Sequence, residues 1–271
     1  MIGLTIINGK ELPATTKAEW RKHLWRITGI CSFGDWQVCF QTYADLYKLD
    51  PDTIKIARAR EVMEYQMSTS KLDYWHWVDA LYMVMPVMVK MYDITKNPLY
   101  LEKLHQYLTV TDSIMYDREV GLYYRDAKYP YPFHKTINGK KDFWSRGDGW
   151  AFAAFAKVLK QLPAEDKYRE EYITRFQTMA KSIAACQQPE GYWTRSLIDP
   201  EQAPGPETSG TALFTYGFLW GINNGLLNAD IYSPIVEKAW NYLKTTALQA
   251  DGKSDIFNLP EKRQYQAGGG C

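Results

Sequence analysis

The sequence predicts an all-α fold, a barrel of helical hairpins, on three observations. First, an apolar helix-like segment runs four times into a short polar break and then into a more amphipathic segment. Second, the breaks LDPD, TKNP, LPAED and LNAD carry Asp, Asn and Pro, which stop one helix and cap the next. Third, the leading member of each pair is apolar on most faces, as a buried helix should be, while its follower keeps a polar face for solvent. No β-type alternation rises above the background.

Taken in order, the first hairpin spans QTYADLYKLDPDTIKIARAREVMEYQM, from Gln41. The second is DALYMVMPVMVKMYDITKNPLYLEKLHQYL from Asp79, and the third GWAFAAFAKVLKQLPAEDKYREEYITRFQTMAKSI from Gly149. The fourth is TSGTALFTYGFLWGINNGLLNADIYSPIVEKAWNYL from Thr208. A short helix over Ala18–Thr28 is expected ahead of them. That makes eight or nine helices in a single domain over 1-271, since no Ser/Gly-rich linker divides the chain.

Bulk composition narrows the function. With 46% hydrophobic and 23% charged residues the chain reads as soluble and globular. A net charge of +1 without a basic cluster gives no basis for nucleic-acid binding. No apolar run approaches the roughly 18 residues of a membrane span. The N-terminus MIGLTIINGKELP lacks the features of a secretion signal, so a cytoplasmic location is expected, or a periplasmic one if a leader precedes it. Cys31, Cys39, Cys186 and Cys271 form no C-x-x-C pair and read as reduced thiols. The four histidines show no zinc spacing, so no metal and no cofactor is expected. Aromatic content stands out: 10 Trp, 20 Tyr and 10 Phe. Indole and phenol faces suit either a helical core or the flat face of a pyranose.

Between the hairpins lie KLDYWHWVD, YDREVGLYYRDAKYPYPFHKTINGKKDFWSRGD and QQPEGYWTRSLIDPEQAPGPETSG. Connections this long are usually functional. Each leads into the start of an inner helix, so the three should meet at one mouth of the barrel. They bring Trp77, Tyr124, Trp144, Trp193, Arg125, Arg146, Arg195, Asp79, Asp126, Asp142, Asp148 and Glu207 together. Aromatic walls, guanidinium groups and carboxylates in one place suit an acidic sugar.

Several of these residues admit two readings. Asp79 is either a helix N-cap or a carboxylate at the mouth. Arg125–Asp126 belongs to a surface loop or to the site. Trp193 and Arg195, two apart, would share a face of extended backbone, one stacking a sugar and the other clamping its carboxylate. FWSRGDGW is too short a match for adhesion and lacks the phosphate-loop pattern. It reads as a helix start and as a pocket rim, with Asp148 favouring the positive helix end.

The motifs WHWVDALYMVMPVMVKMYDITKNPLY, GLYYRD, GKKDFWSRGDGW, GYWTRSLIDPE and ETSGTALFTYGFLWGINNGLL, in this order, resemble glycoside hydrolase family 105. The resemblance runs from about Asp35 to about Gly252. It implies an (α/α)6 barrel, and an activity similar to that of the related family 88. The implied substrate is an oligosaccharide with a 4,5-unsaturated uronic acid at its non-reducing end, left by a polysaccharide lyase of the pectin, rhamnogalacturonan or ulvan type. The implied reaction protonates carbon 4 of the enol ether, adds water at carbon 5 and expels the next sugar, with no metal or cofactor. Carried over by motif, the resemblance makes Asp126 the proton donor and Asp79 its partner, with Asp142 as the fallback. Trp193 and Arg195 stack on and hold the uronate; Trp144, Arg146 and Trp150 border the pocket. Trp77, Tyr124, Asp148 and Glu207 complete the expected binding set.

Two departures carry expectations of their own. The chain reads R-G-D-G-W at 146–150, whereas the family usually has R-G-N-G-W, so Asp148 is expected either to add a negative charge near a site that binds a carboxylate, or to be protonated or paired with Arg146. A full barrel needs twelve helices, so the chain is expected to be shortened at both ends. An open barrel would expose apolar faces and favour self-association. The competing expectation is a catalytically impaired sugar-binding or assembly protein. A sugar epimerase on the same architecture is disfavoured by the few histidines.

Overall fold

The computed structural model describes residues 6–7, 10–11 and 34–254. The helix expected over Ala18–Thr28, together with Cys31 and Cys271, lies outside the described residues. The two-residue strands β1 (Ile6–Ile7) and β2 (Lys10–Glu11) pair antiparallel. After a short helix α1 (Gly34–Gln37) come four hairpins. They are α2 (Cys39–Leu49) with α3 (Ile54–Ser68), and α4 (Asp79–Thr95) with α5 (Leu99–Met115). Next are α6 (Ser145–Leu159) with α7 (Arg169–Ala184), and α8 (Thr208–Asn223) with α9 (Ala229–Tyr242).

These are the four sequence repeats, and the breaks explain the turns. In each one a short polar side chain accepts from an amide two residues on. Asp52 accepts from Ile54 N–H (3.1 Å), Asn97 from Leu99 (3.0 Å), Asp166 from Tyr168 (2.9 Å) and Asn228 from Asp230 (2.8 Å). Each carboxylate or amide thereby satisfies a donor that the start of an outer helix would otherwise leave open.

The leading helices pack side by side: α4 contacts α2 and α6, and α6 contacts α8. The following helices α3, α5, α7 and α9 cover them from outside. Hydrophobicity sets this layering. Helix α4 buries Leu81, Val84, Met85 and six further apolar residues without a solvent face, whereas α7 buries only Tyr172, Phe176, Met179, Ala180 and Ile183. Phe152 of α6 ties three helices, stacking on Phe176 at 4.5 Å and meeting Phe218 edge-on at 5.2 Å. Burial of such a ring contributes about 1.5–3 kcal/mol. Its seat exists because residue 217 is glycine: a Cβ there would stand 2.4 Å from the ring.

No alternation marks strands in the sequence, yet Tyr116–Asp117 (β3) and Leu122–Tyr123 (β4) pair antiparallel. The Asp117 carboxylate builds the turn by accepting from Glu119 and Val120 N–H at 3.1 Å, and Gly121 supplies a φ of +79°. A two-residue strand is too short to show alternation. Its importance is positional, because it delivers Arg125 and Asp126 to the mouth.

Candidate active site

The three long connections meet at the N-terminal ends of α4, α6 and α8. Backbone pairing joins the first to the second: Trp77 bridges Asp126, and Val78 N–H donates to Arg125 O at 3.0 Å. It also joins the second to the third: Trp144 bridges Ser196, Ser145 N–H donates to Arg195 O at 2.9 Å, and Leu197 N–H to Phe143 O at 2.9 Å. Residues roughly fifty apart in sequence are thus held by main-chain bonds.

Side chains then form a chain of contacts. The Arg125 guanidinium lies 4.4 Å from the Tyr129 ring, and Tyr129 lies 4.2 Å from His134. His134 Nε2 is 2.9 Å from Asp142 Oδ2, and Arg195 donates to both Asp142 oxygens at 2.8 Å. Arg195 and Arg146 approach the Trp144 indole at 5.4 and 4.4 Å. Arg146 and Arg125 both act electrostatically on Asp79.

Asp79 is the first residue of α4, and Val78 is its N-cap with no side-chain bond, so the capping reading is not the one realised. The side chain lines a cavity of about 70 Å³ with Asp35, Tyr74, His76 and Trp77. Burial pushes its carboxyl above the usual range; Arg146 opposes this, the nearby Asp35 carboxylate adds to it, and Arg125 opposes it. The result is a carboxyl raised above its usual range within the electrostatic reach of two guanidinium groups.

Asp126 stands next to this centre with both oxygens occupied. Oδ2 accepts from Arg125 Nε and Nη2 at 2.9 and 2.7 Å, and Oδ1 accepts from Lys128 N–H at 2.8 Å. Trp77 is on the rim, 49% exposed, with Arg125 5.9 Å from its ring. Trp150 lies on α6 against Tyr82, 4.5 Å between rings, and is half-buried.

Five expected roles are corrected. Trp193 is fully buried, its indole N–H donates to Ile183 O at 2.7 Å, and its ring packs on Phe214 and Phe218. It fills the core, so no sugar reaches it. The connection around it does not run as a regular strand, which is why the spacing of two misled. Arg195 donates to Asp142 through Nη1, so it stands at the site as one member of an ion pair rather than as the free clamp expected. Tyr124 is buried, donating to Asp117 Oδ2 at 2.7 Å and stacking on Phe143 at 4.6 Å. Glu207 is the N-cap of α8: it accepts from Gly210 N–H at 2.6 Å and from the hydroxyls of Ser209 and Ser145. Asp148 is wholly buried, accepts from Tyr123 N–H at 2.8 Å and leaves Oδ2 without a protein partner.

Two site residues were missed. Asp35 sits in the first turn of α1 and shares the Asp79 cavity; a first-turn acid ahead of an inner helix was the available signal. His134 had no signal in its spacing, because the loop that brings it to Asp142 is irregular. Among the described residues no group of three His, Cys, Asp or Glu side chains is placed to hold a metal ion. No helix there is long and apolar enough to cross a membrane.

The family model of Glycosyl Hydrolase Family 88 matches residues 7–263. The chain belongs to that family. The motif resemblance named family 105; the family shown is the related family 88. A solved glycosyl hydrolase family 88 structure from Bacteroides vulgatus is 89% identical, with a TM-score of 0.84, over 93% of this chain and 72% of that one. A second solved structure, described as a polysaccharide lyase, is 71% identical with a TM-score of 0.83, over 85% of this chain and 65% of that one. An unsaturated 3S-rhamnoglycuronyl hydrolase from Alteromonas sp. (strain LOR) is 36% identical over 179 residues, 66% of this chain and 43% of that one. The chain spans about half the length of the curated relatives it matches. The hairpin layers are of the (α/α)6-barrel type, as expected.

Proposed function

We propose that this family 88 chain removes a 4,5-unsaturated uronic acid from the non-reducing end of lyase-generated oligosaccharides. The observation that carries this reading is the site around Asp79: a carboxyl that lines the cavity with Asp35 and is raised above its usual range by burial, within the electrostatic reach of Arg146 and Arg125. An unsaturated uronate needs that combination. Its carboxylate sits on carbon 5, next to the carbon 4 that must take a proton.

In this mechanism Arg146 holds the substrate carboxylate, assisted by Arg125. Asp79 gives its proton to carbon 4 while positive charge develops at carbon 5 and the ring oxygen. Water adds to carbon 5, and its proton returns to the Asp79 carboxylate, restoring the acid. The hemiketal formed at carbon 5 opens, and the bond to the next sugar breaks. Asp79 takes the donor role first assigned to Asp126, whose oxygens are occupied by Arg125 and the Lys128 amide. The motifs shared with family 105 favour rhamnogalacturonan- or ulvan-type substrates. The Alteromonas relative's name makes a rhamnose-linked glycuronyl unit the first to try.

The 71% identity to a protein described as a lyase favours one second reading, β-elimination. There a base removes the carbon-5 proton and a guanidinium neutralises the carboxylate, creating the double bond that the hydrolase consumes. One assay separates the two. Ultraviolet absorbance of the conjugated enol ether falls if an unsaturated disaccharide is hydrated, and rises if a saturated polysaccharide is cleaved. Binding with neither change would sink both readings and leave a sugar-binding protein.

A further inference from the structure

Three arginines reach the mouth, and they are not equivalent. Arg125 has the Asp126 carboxylate and Arg195 has Asp142, whereas among the described residues no carboxylate lies within ion-pair range of Arg146. Arg146 and Arg195 nevertheless share the Trp144 indole, at 4.4 and 5.4 Å from its ring. Two bare guanidinium groups on one indole would repel each other, and either could take an incoming anion. Asp142 removes that ambiguity by neutralising Arg195 and leaving Arg146 open.

Asp142 is itself held by a group that neither the core nor the proposed proton transfer uses. Its side chain is 1% exposed, and Arg195 Nη1 bonds both of its oxygens. Oδ2 keeps room for a second donor, and His134 Nε2 stands there at 2.9 Å. A carboxylate only accepts, so this nitrogen carries the proton. His134 is held in turn, because its ring lies 4.2 Å from that of Tyr129. Tyr129 N–H donates to Asp126 O at 3.0 Å, and the Arg125 guanidinium lies over the Tyr129 ring. The imidazole therefore ties the Asp142–Arg195 pair to the Asp126–Arg125 pair.

We propose that His134 is a positioning residue: by bracing Asp142 it keeps Arg195 paired against the Trp144 indole, and so leaves Arg146 as the guanidinium open to the substrate carboxylate. His134 touches no reacting atom in this role and acts only through Asp142 and Arg195. What Arg146 binds rests on the hydrolase reading; the bracing of Arg195 does not.

Arginine labelling with phenylglyoxal, mapped by mass spectrometry on the full chain without substrate, reads the bracing directly. In the wild type Arg146 is expected to label about ten-fold faster than Arg195, whose terminal nitrogen is held by Asp142. His134→Ala should raise Arg195 labelling about five-fold, and His134→Gln, with an amide N–H in place of the imidazole one, should restore the wild-type rate. Adding His134→Ala to Asp142→Asn should change Arg195 labelling no further, because the two residues act in one chain. On an unsaturated disaccharide, His134→Ala should raise KM about five-fold with kcat and Tm kept, and His134→Gln should return it. Wild-type Arg195 labelling or a wild-type KM in His134→Ala would overturn the proposal, as would a fall in kcat and Tm together that His134→Gln does not rescue. If the wild type turns over no disaccharide, the hydrolase reading fails and the labelling alone decides the bracing.

Discussion

Asp79 and Asp148 occupy matching addresses, each in the first turn of an inner helix with a tryptophan two or four residues before it. The positive helix end favours an anion at both. Their surroundings differ. Asp79 opens on a cavity and is flanked by two guanidinium groups and a second carboxylate. Asp148 is fully buried, and burial raises its carboxyl well above the usual range with only the Tyr123 amide in opposition. Burial raises both carboxyls, but only Asp79 lines a cavity through which a ligand could reach it. Access, not acidity, separates a candidate acid from a structural pin.

The largest effect expected from breaking this contrast is at Asp79. Asp79→Asn should lower turnover of an unsaturated disaccharide about 100-fold or more, with the Tm little changed. Near wild-type kcat in the folded variant would remove Asp79 from proton transfer.

Asp148→Asn should leave activity in place and change the pH dependence of stability. A carboxyl whose pKa is raised by folding supports the fold fully only below its unfolded value, near about 4, and that support is lost as pH rises towards the folded value. An amide mimics the protonated form without that loss. The Tm of the variant should therefore gain on wild type from acid to neutral pH, by up to about 1.4 kcal/mol of stability per pH unit. Parallel Tm–pH curves would mean that Asp148 is ionised in the fold. The same argument explains how a carboxyl can serve at a buried position that would also suit an amide: protonated, it has an amide's shape and still accepts from Tyr123.

The smallest effect is expected at Asp126. Asp126→Asn loosens Arg125 rather than removing a proton donor, so a loss of about ten-fold, mostly in KM, is expected. A loss in kcat equal to that of Asp79→Asn would exchange the two roles.

Much of the fold was legible because its signals are local. Asp52, Asn97, Asp166 and Asn228 each accept from an amide two residues on where the breaks were read, and each apolar leading segment is an inner helix. The convergence of the three connections was legible too, since hairpins of this order place their long loops at one end. The site was legible only in part. Asp79, Arg146, Trp144 and Asp142 meet there, whereas Trp193, Tyr124, Glu207 and Asp148 share its sequence neighbourhood but turn inward. Residue type cannot make that distinction, because an indole satisfies a core as well as a sugar, and a carboxyl caps a helix as well as it donates a proton.

By itself, then, the sequence determined the helices, their pairing and the end of the barrel where chemistry collects, since periodicity and capping act over a few residues. Only the tertiary structure decided which aromatic and acidic groups face the opening. Burial, and the company of Arg146, Arg125 and Asp35 around Asp79, are set by segments far apart in the chain.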